Sequence, residues 1–189
     1  MKKTWLIIIA LIIVIICVLG VQMCIKGGFF TAPEVTSTPV PSAVNTPTST
    51  PDDVKKVTLY FVDSNAEYLL PEERSVRADD INSLALATLN ELIKGSANNH
   101  GASINPDTKI NGVKVENGVC YIDFKSDFEN KNTGGSAKES FFIYSIVNTL
   151  TEFDTVNEVK LLSDGEPVTE FGHFILDEPL VRDEKMIKK

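Results

Sequence analysis

The first stretch of the chain has almost no polar positions. Residues 5–25 form an apolar run with a single clearly polar residue. A helix of this length extends about 31 Å, which matches the hydrocarbon core of a bilayer. Lys2 and Lys3 precede the run and only Lys26 follows it, so the positive-inside bias predicts a cytoplasmic N-terminus. The pattern therefore predicts a single-pass membrane anchor at residues 1–30, with the rest of the chain extracytoplasmic.

Two other fates of this segment stay open. A cleaved signal peptide has a shorter apolar stretch and small residues at its cleavage site, whereas a large aromatic, Phe30, occupies the candidate site here. A lipoprotein needs a small residue before the modified cysteine, but Met23 precedes Cys24 and Ile16 precedes Cys17. We therefore expect an uncleaved anchor, with a lipoprotein modified at Cys24 or simple cleavage as the alternatives.

Between residues 31 and 53 the hydrophobic pattern disappears. Five prolines, six threonines and three serines fill 14 of these 23 positions. Such a composition cannot bury enough apolar surface to offset the entropy lost on ordering, and its prolines favour extended conformations. Residues 31–53 are therefore predicted to be a disordered linker that separates the membrane anchor from a folded domain at residues 54–182.

Regular alternation of apolar and polar positions follows the linker. Residues 57–61 alternate and predict a strand with one buried face. Residues 64–77 are mostly polar, with a turn at their proline. The apolar spacing then changes to three and four, which predicts a helix with Asp79 or Asp80 as N-cap and Gly95 as its left-handed stop. The apolar stripe of this helix consists of Ile81, Leu84, Ala85, Thr88, Leu89, Leu92 and Ile93.

Two further alternating segments, residues 109–116 and 119–124, flank Asn117 and Gly118. Asn-Gly is the strongest short hairpin signal because both residues accept a positive φ. The predicted two-residue turn gives the pairs Glu116 with Val119, Val115 with Cys120, and Val113 with Ile122.

The same hairpin needs one irregularity. A β-bulge at Gly112 would bring Ile110 opposite Phe124 and keep the apolar face continuous. Cys120 lies on that apolar face, so it is predicted to be a small buried residue and not a nucleophile.

The remaining elements complete an alternating order. Ser136 and Glu139 have the spacing of a capping box, which predicts a helix to about Phe153. Its buried stripe is predicted to contain Phe142, Ile143, Ile146, Val147, Leu150 and Phe153. Residues 156–163 predict another strand, and residues 171–176 a short one.

The order β-α-β-β-α-β indicates an α+β fold, in which two helices pack on one face of a three- to five-stranded sheet. Residues 183–189 are expected to be a C-terminal tail with a frayed basic end.

Several segments of this domain together resemble the GerMN domain family, which is associated with sporulation and germination. The resemblance covers residues 57–182 and is carried by residues 57–61, 84–89, 113–124, 144–151 and 171–180. It implies a membrane-anchored, extracytoplasmic protein of a Gram-positive type of bacterium, here with a single GerMN domain. It also implies a fold similar to the ring-building motifs of envelope complexes. The family brings no catalytic residues, and related domains occur beside peptidoglycan-processing modules.

Charge and composition narrow the function further. The chain has 18 Lys and Arg against 26 Asp and Glu. An acidic domain has the wrong sign for binding phosphate backbones, so we expect no nucleic-acid partner. His100 and His173 lack zinc-ligand spacing and, together with three cysteines, leave little material for a metal site. We therefore expect no metal and no cofactor.

Candidate catalytic groups also have simpler explanations. Asp79 and Asp80, or Asp123 and Asp127, could pair as carboxylates, but the first two suit a helix start and Asp123 faces solvent. The segment Gly134-Gly135-Ser136 could bind an anion through free backbone amides, although a flexible loop with a cap explains it better. We therefore expect no enzymatic activity and assign no catalytic residue.

Two classes of function remain. The first is a non-catalytic cell-envelope module that contacts other envelope or membrane-anchored proteins, or its own copies. The alternative is a module that binds peptidoglycan or another cell-wall glycan. Tyr60 and Tyr121 are the best candidate aromatics for a glycan, since tryptophan is absent after residue 5. The expected binding face combines Thr58, Tyr60, Lys114, Glu116, Val119, Tyr121 and Asp123.

Overall fold

A computed structural model of the chain describes residues 54–189. The predicted anchor at residues 1–30 and the predicted linker at residues 31–53 lie outside the described residues. Within the described part, none of the helices combines the length and apolar character needed to cross a membrane.

The domain mixes helices and strands, as expected for an α+β fold, but it contains more elements than the predicted order. Its helices are α1 (Ile81–Lys94), α2 (Phe128–Asn132) and α3 (Ser136–Leu150), and a 3₁₀ turn spans Glu184–Met186. Its long strands are β1 (Val54–Val62), β2 (Leu69–Arg77), β3 (Ile110–Glu116), β4 (Val119–Phe124) and β5 (Glu158–Ser163). Four two-residue strands follow: β6 (Glu166–Pro167), β7 (Glu170–Phe171), β8 (Phe174–Ile175) and β9 (Leu180–Val181).

These strands form three sheets. β1 and β2 pair as an antiparallel hairpin. The five-stranded sheet has the order β3-β4-β5-β6, and β9 pairs with β5 beside β6. β4 and β5 are parallel, and both α2 and α3 lie in the connection between them. β7 and β8 form a small separate hairpin within the predicted strand at residues 171–176.

Strand β2 corrects the prediction that residues 64–77 form a polar stretch with a turn. Pro71 pairs with Tyr60 inside the strand. A proline is tolerated there because each strand of a two-stranded sheet has a free edge. Because the charged residue Glu72 is buried at an inward position, this strand lacks the regular alternation of apolar and polar residues from which strands are predicted.

The hairpin β3–β4 confirms the predicted register. Asn117 and Gly118 have φ values of 53° and 85°, and all three predicted residue pairs are present. The register shifts between Ile110 and Gly112, so that Ile110 lies opposite Phe124. Cys120 is fully buried, and burial raises the pKa of its thiol to about 12. The interpretation of Cys120 as a core residue is therefore correct.

The helix ends agree with the predictions in one case and differ in the other. Asp80 is the N-cap of α1 and accepts a hydrogen bond from Ser83 N, and Gly95 ends that helix with a φ of 90°. The N-cap of α3 is Gly135, and Ser136 caps no backbone amide, so the predicted capping box is wrong. This helix also ends at Leu150, one turn before the predicted Phe153.

The two long helices, α1 and α3, cover the inner face of the five-stranded sheet. The inward side chains of β4 are completely buried, whereas the alternate residues of that strand are partly exposed. One hydrophobic core joins the sheet, both helices and β1, through residues that include Phe61, Leu89, Ile122, Ile146 and Leu161. A second, smaller cluster covers the other face of β1 with Tyr60, Val62, Leu69 and Phe141, against Met186 and Ile187.

The basic end of the chain is docked and not frayed. The backbone amide of Lys188 donates to the Leu69 carbonyl at 3.0 Å, and Ile187 forms a parallel bridge with Leu69. The expectation of a frayed end failed because Met186 and Ile187 supply apolar surface that covers β1.

Candidate interaction surface

The outer face of the five-stranded sheet is a candidate for binding. Strand pairing places its side chains in cross-strand rows. The first row is Glu116, Val119, Glu158 and Val181. The second row is Lys114, Tyr121 and Lys160. The third row is Gly112, Asp123, Leu162 and Pro167, in which Pro167 of β6 pairs with Leu162 of β5. Tyr121 therefore lies at the centre of a face with charged groups of both signs.

A depression of 410 Å³ lies in this face. We call it the sheet depression; it is lined by Gly112, Val113, Lys114, Glu116, Tyr121, Asp123 and Leu162. It exists because Gly112 has no side chain at an outward position beside the bulge. A Cβ added at Gly112 would meet no atom within 4 Å, so the space above this residue is open.

The charged groups around the sheet depression are already bonded within the domain. Lys114 Nζ lies 2.8 Å from Glu116 Oε2, and this hydrogen bond raises the pKa of Lys114. Asp123 Oδ1 accepts a hydrogen bond from Gly165 N at 2.8 Å. These partners partly neutralise the charges around the depression. Burial of the apolar surfaces of Tyr121 and Leu162 would therefore contribute most of the binding free energy of a partner.

Tyr60, the other aromatic of the expected face, is not on this surface. It belongs to the β1–β2 hairpin and is 5% exposed. Its hydroxyl donates to Glu152 Oε1 at 2.7 Å and accepts from Arg182 Nη2 at 2.9 Å. Burial and the Glu152 hydrogen bond raise the pKa of Tyr60. Thr58 lies on the same separate hairpin, so the expected single face is wrong for both residues.

Three of the four candidate carboxylates, those of Asp80, Asp123 and Asp127, have separate local contacts. Asp80 caps α1, and its hydrogen bonds with Ser83 lower its pKa. Asp79 is exposed beside that cap. Asp127 Oδ2 pairs with Lys131 Nζ at 2.7 Å, one turn along α2. These contacts use Asp80, Asp123 and Asp127 as structural groups.

The glycines before α3 do not leave free amides for an external anion. Gly134 N and Gly135 N donate to Glu139 Oε1 at 3.1 and 3.2 Å. Glu139 is buried, and its Oε2 lies 2.7 Å from His173 Nδ1. The hydrogen bond with the His173 ring and the backbone amides lower the pKa of Glu139 to about 2, although desolvation opposes this. The chain thus supplies its own carboxylate to this helix start.

A second buried carboxylate was not predicted from the sequence. Glu72 accepts hydrogen bonds from Arg74, Ser96 Oγ and Ala97 N. Burial opposes its ionisation, but these donors outweigh burial and lower the pKa of Glu72 to about 2. His100 Nδ1 lies 3.8 Å from Glu72 Oε2. The only sequence signal is the i, i+2 spacing of Glu72 and Arg74 on one side of a strand.

The two histidines were the candidate metal ligands in the sequence. In the part of the chain from residue 54 onward, no group of three or more His, Cys, Asp and Glu side chains is arranged to hold a metal ion. His100 lies beside the buried carboxylate of Glu72, and His173 lies beside that of Glu139. Their positions are explained by those contacts.

Comparisons with known proteins give one consistent result. The model of the Germane family, described as sporulation and spore germination, matches residues 58–169. The structure of the tandem GerMN domains of the sporulation protein GerM from Bacillus subtilis is similar, with 24% identity and a TM-score of 0.57. That match covers 68% of this chain and 46% of the other, so this chain spans less than half of the tandem structure.

A second solved structure, the first GerMN domain of the same GerM protein, has 25% identity and a TM-score of 0.54. That match covers 68% of this chain and 98% of the other. No curated protein matches this chain at a significant level.

Proposed function

This chain belongs to the Germane family of sporulation and spore germination domains, and from that premise we propose that it is a non-catalytic module of the cell envelope. In this proposal the N-terminal segment anchors the protein in the cell membrane and the domain lies on the extracytoplasmic side. The domain acts by contacting other envelope or membrane-anchored proteins, or further copies of itself.

The sheet depression is the observation that carries the proposal. It offers an open apolar floor beside Tyr121, within a rim of charges that are bonded inside the domain. Interfaces between proteins typically combine a small apolar centre that contains an aromatic residue with a polar rim. The apolar floor suits contact with apolar side chains of a partner protein.

The mixed polarity of the face also suggests the kind of contact. Glu158 and Lys160 extend the charged pattern across β5, so the face is too polar for a permanently buried interface. Attachment of both partners to one membrane would raise their effective concentration, so a weak contact would suffice. We infer a reversible interface.

Photo-crosslinking in intact cells tests this proposal. A photoreactive residue at position 114 or 121 should give protein adducts, because both positions border the sheet depression. The matched control is Asn90, which is exposed on α1 and should give none. Adducts from position 90 as abundant as those from 114 and 121 would contradict a specific face, and adducts with glycan alone would favour the wall-binding alternative.

A second variant separates loss of binding from loss of folding. Gly112→Leu should fill the sheet depression without a clash, because nothing lies within 4 Å of the added Cβ. We expect the adducts at position 121 to fall while the thermal unfolding midpoint stays within about 3 °C of the original. Unchanged crosslinking in this variant would show that the depression is not the contact.

A further inference from the structure

A second concave surface lies at the docked end of the chain. We call it the tail groove; it has a volume of 570 Å³ and is lined by Tyr68, Glu184, Lys185, Ile187, Lys188 and Lys189. This volume is within the range of about 300–1,000 Å³ that is common for sites of small ligands. None of the lining residues belongs to the outer face of the five-stranded sheet.

The groove is built on ordered backbone. Asp183 Oδ1 accepts a hydrogen bond from Lys185 N at 2.9 Å, which caps the 3₁₀ turn. Ile187 N donates to Glu184 O at 3.2 Å, and Lys188 N donates to Leu69 O at 3.0 Å. These bonds fix the backbone at Lys185 and Lys188, so a ligand would not need to order that part of the groove.

The charge of the groove is opposite to that of the molecule. Acidic residues outnumber basic residues in the chain, yet three lysines are among the residues that line this one groove. Glu184 is the lining residue with an acidic side chain, and it is paired with Arg182. Buried Asp63 lies 3.8 Å from Lys188 Nζ, and no ion pair within residues 54–189 involves Lys185 or Lys189. A small anionic group would find two unpaired ammonium groups here.

Tyr68 adds a flat apolar surface to these charges. Tyr68 is 40% exposed, but its backbone is held in place. Tyr68 N donates to Asp63 Oδ1, and Tyr68 O accepts a hydrogen bond from Asp63 N. An exposed aromatic ring gives a stacking surface for the apolar face of a sugar, and ammonium groups beside it suit a carboxylate on that sugar. We propose that the tail groove binds a carboxylated polysaccharide, with a sugar ring on Tyr68 and its carboxylate at Lys185 and Lys189.

The groove is less suited to an acidic peptide. A peptide commonly adds to a sheet edge through its main chain. Here the carbonyl of Leu69 is already bonded to Lys188, and the parallel bridge with Ile187 occupies that part of the edge. Recognition therefore depends on side chains. The site shares no residue with the sheet depression, so this inference and the proposed function can fail separately.

Binding to defined probes tests the inference. The full-length chain, kept in a polyoxyethylene detergent without sugar headgroups, would be titrated with oligogalacturonate in a calorimeter. Neutral dextran oligosaccharides supply sugar rings without charge, and poly-L-glutamate supplies carboxylates without sugar. We expect oligogalacturonate to bind, binding to weaken as salt is raised, and the other two probes to bind at least about tenfold more weakly.

Variants then assign the contact to the groove. Lys185→Gln with Lys189→Gln should weaken binding about three- to tenfold, and Lys109→Gln, an exposed lysine on another surface, should leave it unchanged. Tyr68→Ser should weaken binding as well, while Tyr68→Phe should retain it because the ring remains. Thermal unfolding of each variant checks that the fold is intact.

Three outcomes would overturn the inference. The first is the absence of oligogalacturonate binding at millimolar concentration. The second is equal binding of poly-L-glutamate, which would reduce the groove to a charge effect. The third is equal loss of binding in Lys109→Gln and in the double lysine variant, which would place the contact elsewhere on the surface.

Discussion

Replacing Gly118 with alanine should weaken the domain through two separable effects. Gly118 has a φ of 85° in the turn between β3 and β4, a conformation that an L-residue adopts only with strain. A Cβ at this position would also lie 2.8 Å from Nδ2 of Asn157, which is too close. The carbonyl of Gly118 accepts hydrogen bonds from the backbone amides of Asn157 and Glu158, so the turn cannot move away freely.

A second glycine allows the two effects to be measured apart. Gly165 has nearly the same φ, 88°, but an added Cβ would meet nothing within 4 Å. Gly165→Ala should therefore cost only the backbone strain, about 1 kcal/mol. Gly118→Ala should cost about 1.5–2.5 kcal/mol, because the Asn157 amide must also be displaced. Against a typical total of about 5–15 kcal/mol, both changes are measurable.

Urea unfolding of a soluble fragment spanning residues 54–189 would measure these differences. In an Asn157→Ala background the close contact is absent, so Gly118→Ala should then cost no more than Gly165→Ala. The reasoning is refuted if Gly118→Ala costs the same with and without Asn157. A Gly118→Ala variant as stable as the original would refute the turn geometry itself.

Three further predictions concern other parts of the chain. Cys120 should react with a bulky thiol reagent only after unfolding, since its thiol is buried and its pKa is raised to about 12; rapid labelling of the folded fragment would place it elsewhere. Because the pKa of Glu139 is lowered to about 2, its contribution to stability should be full above about pH 4.5 and lost as the pH falls towards 2. Urea midpoints across this pH range should therefore converge for the original and Glu139→Gln, and parallel curves would contradict the assignment. Intact mass of the membrane-extracted protein should correspond to residues 1–189 without a lipid; a mature chain that begins at a lipidated Cys24 would contradict the predicted anchor.

The β3–β4 hairpin could be predicted in detail because its determinants are local. Two adjacent turn residues set the pairing, and regular alternation shows which side is buried. Even the bulge at Gly112 followed from matching the apolar face of β3 to that of β4. The same applies to Asp80, whose capping partner lies only three residues away.

Distant contacts explain the predictions that failed. The alternation of residues in β1 correctly places Tyr60 on the opposite face from Leu59 and Phe61. It cannot show that Phe141 and the end of the chain cover this second face. The capping box failed for a similar reason, because the carboxylate of Glu139 is shared between its own helix start and His173, 34 residues away. Neither contact leaves a periodic signal in the sequence.

The sequence predicted the part of the candidate surface that β3 and β4 form, but not the part that β5 adds. Tyr121 and Lys114 were expected to face outward on paired strands, and the structure places them in one cross-strand row. The addition of β5 to that face, and with it Leu162, depends on a parallel pairing across 33 intervening residues. Parallel pairing of this kind is set by the packing of the helices between the strands and not by a turn.

The contact between Tyr60 and Arg182 also constrains the order in which the domain assembles. These residues are 122 positions apart, so the second face of β1, which Phe141 covers in part, is completed only when the final ten residues have arrived. Bringing such distant residues together costs chain entropy, and the contact stabilises the domain only once it has formed. A chain that is synthesised from its N-terminus would therefore hold the second face of β1 incompletely covered until its last residues are made. The domain should then complete its folding only after the C-terminal segment has become available.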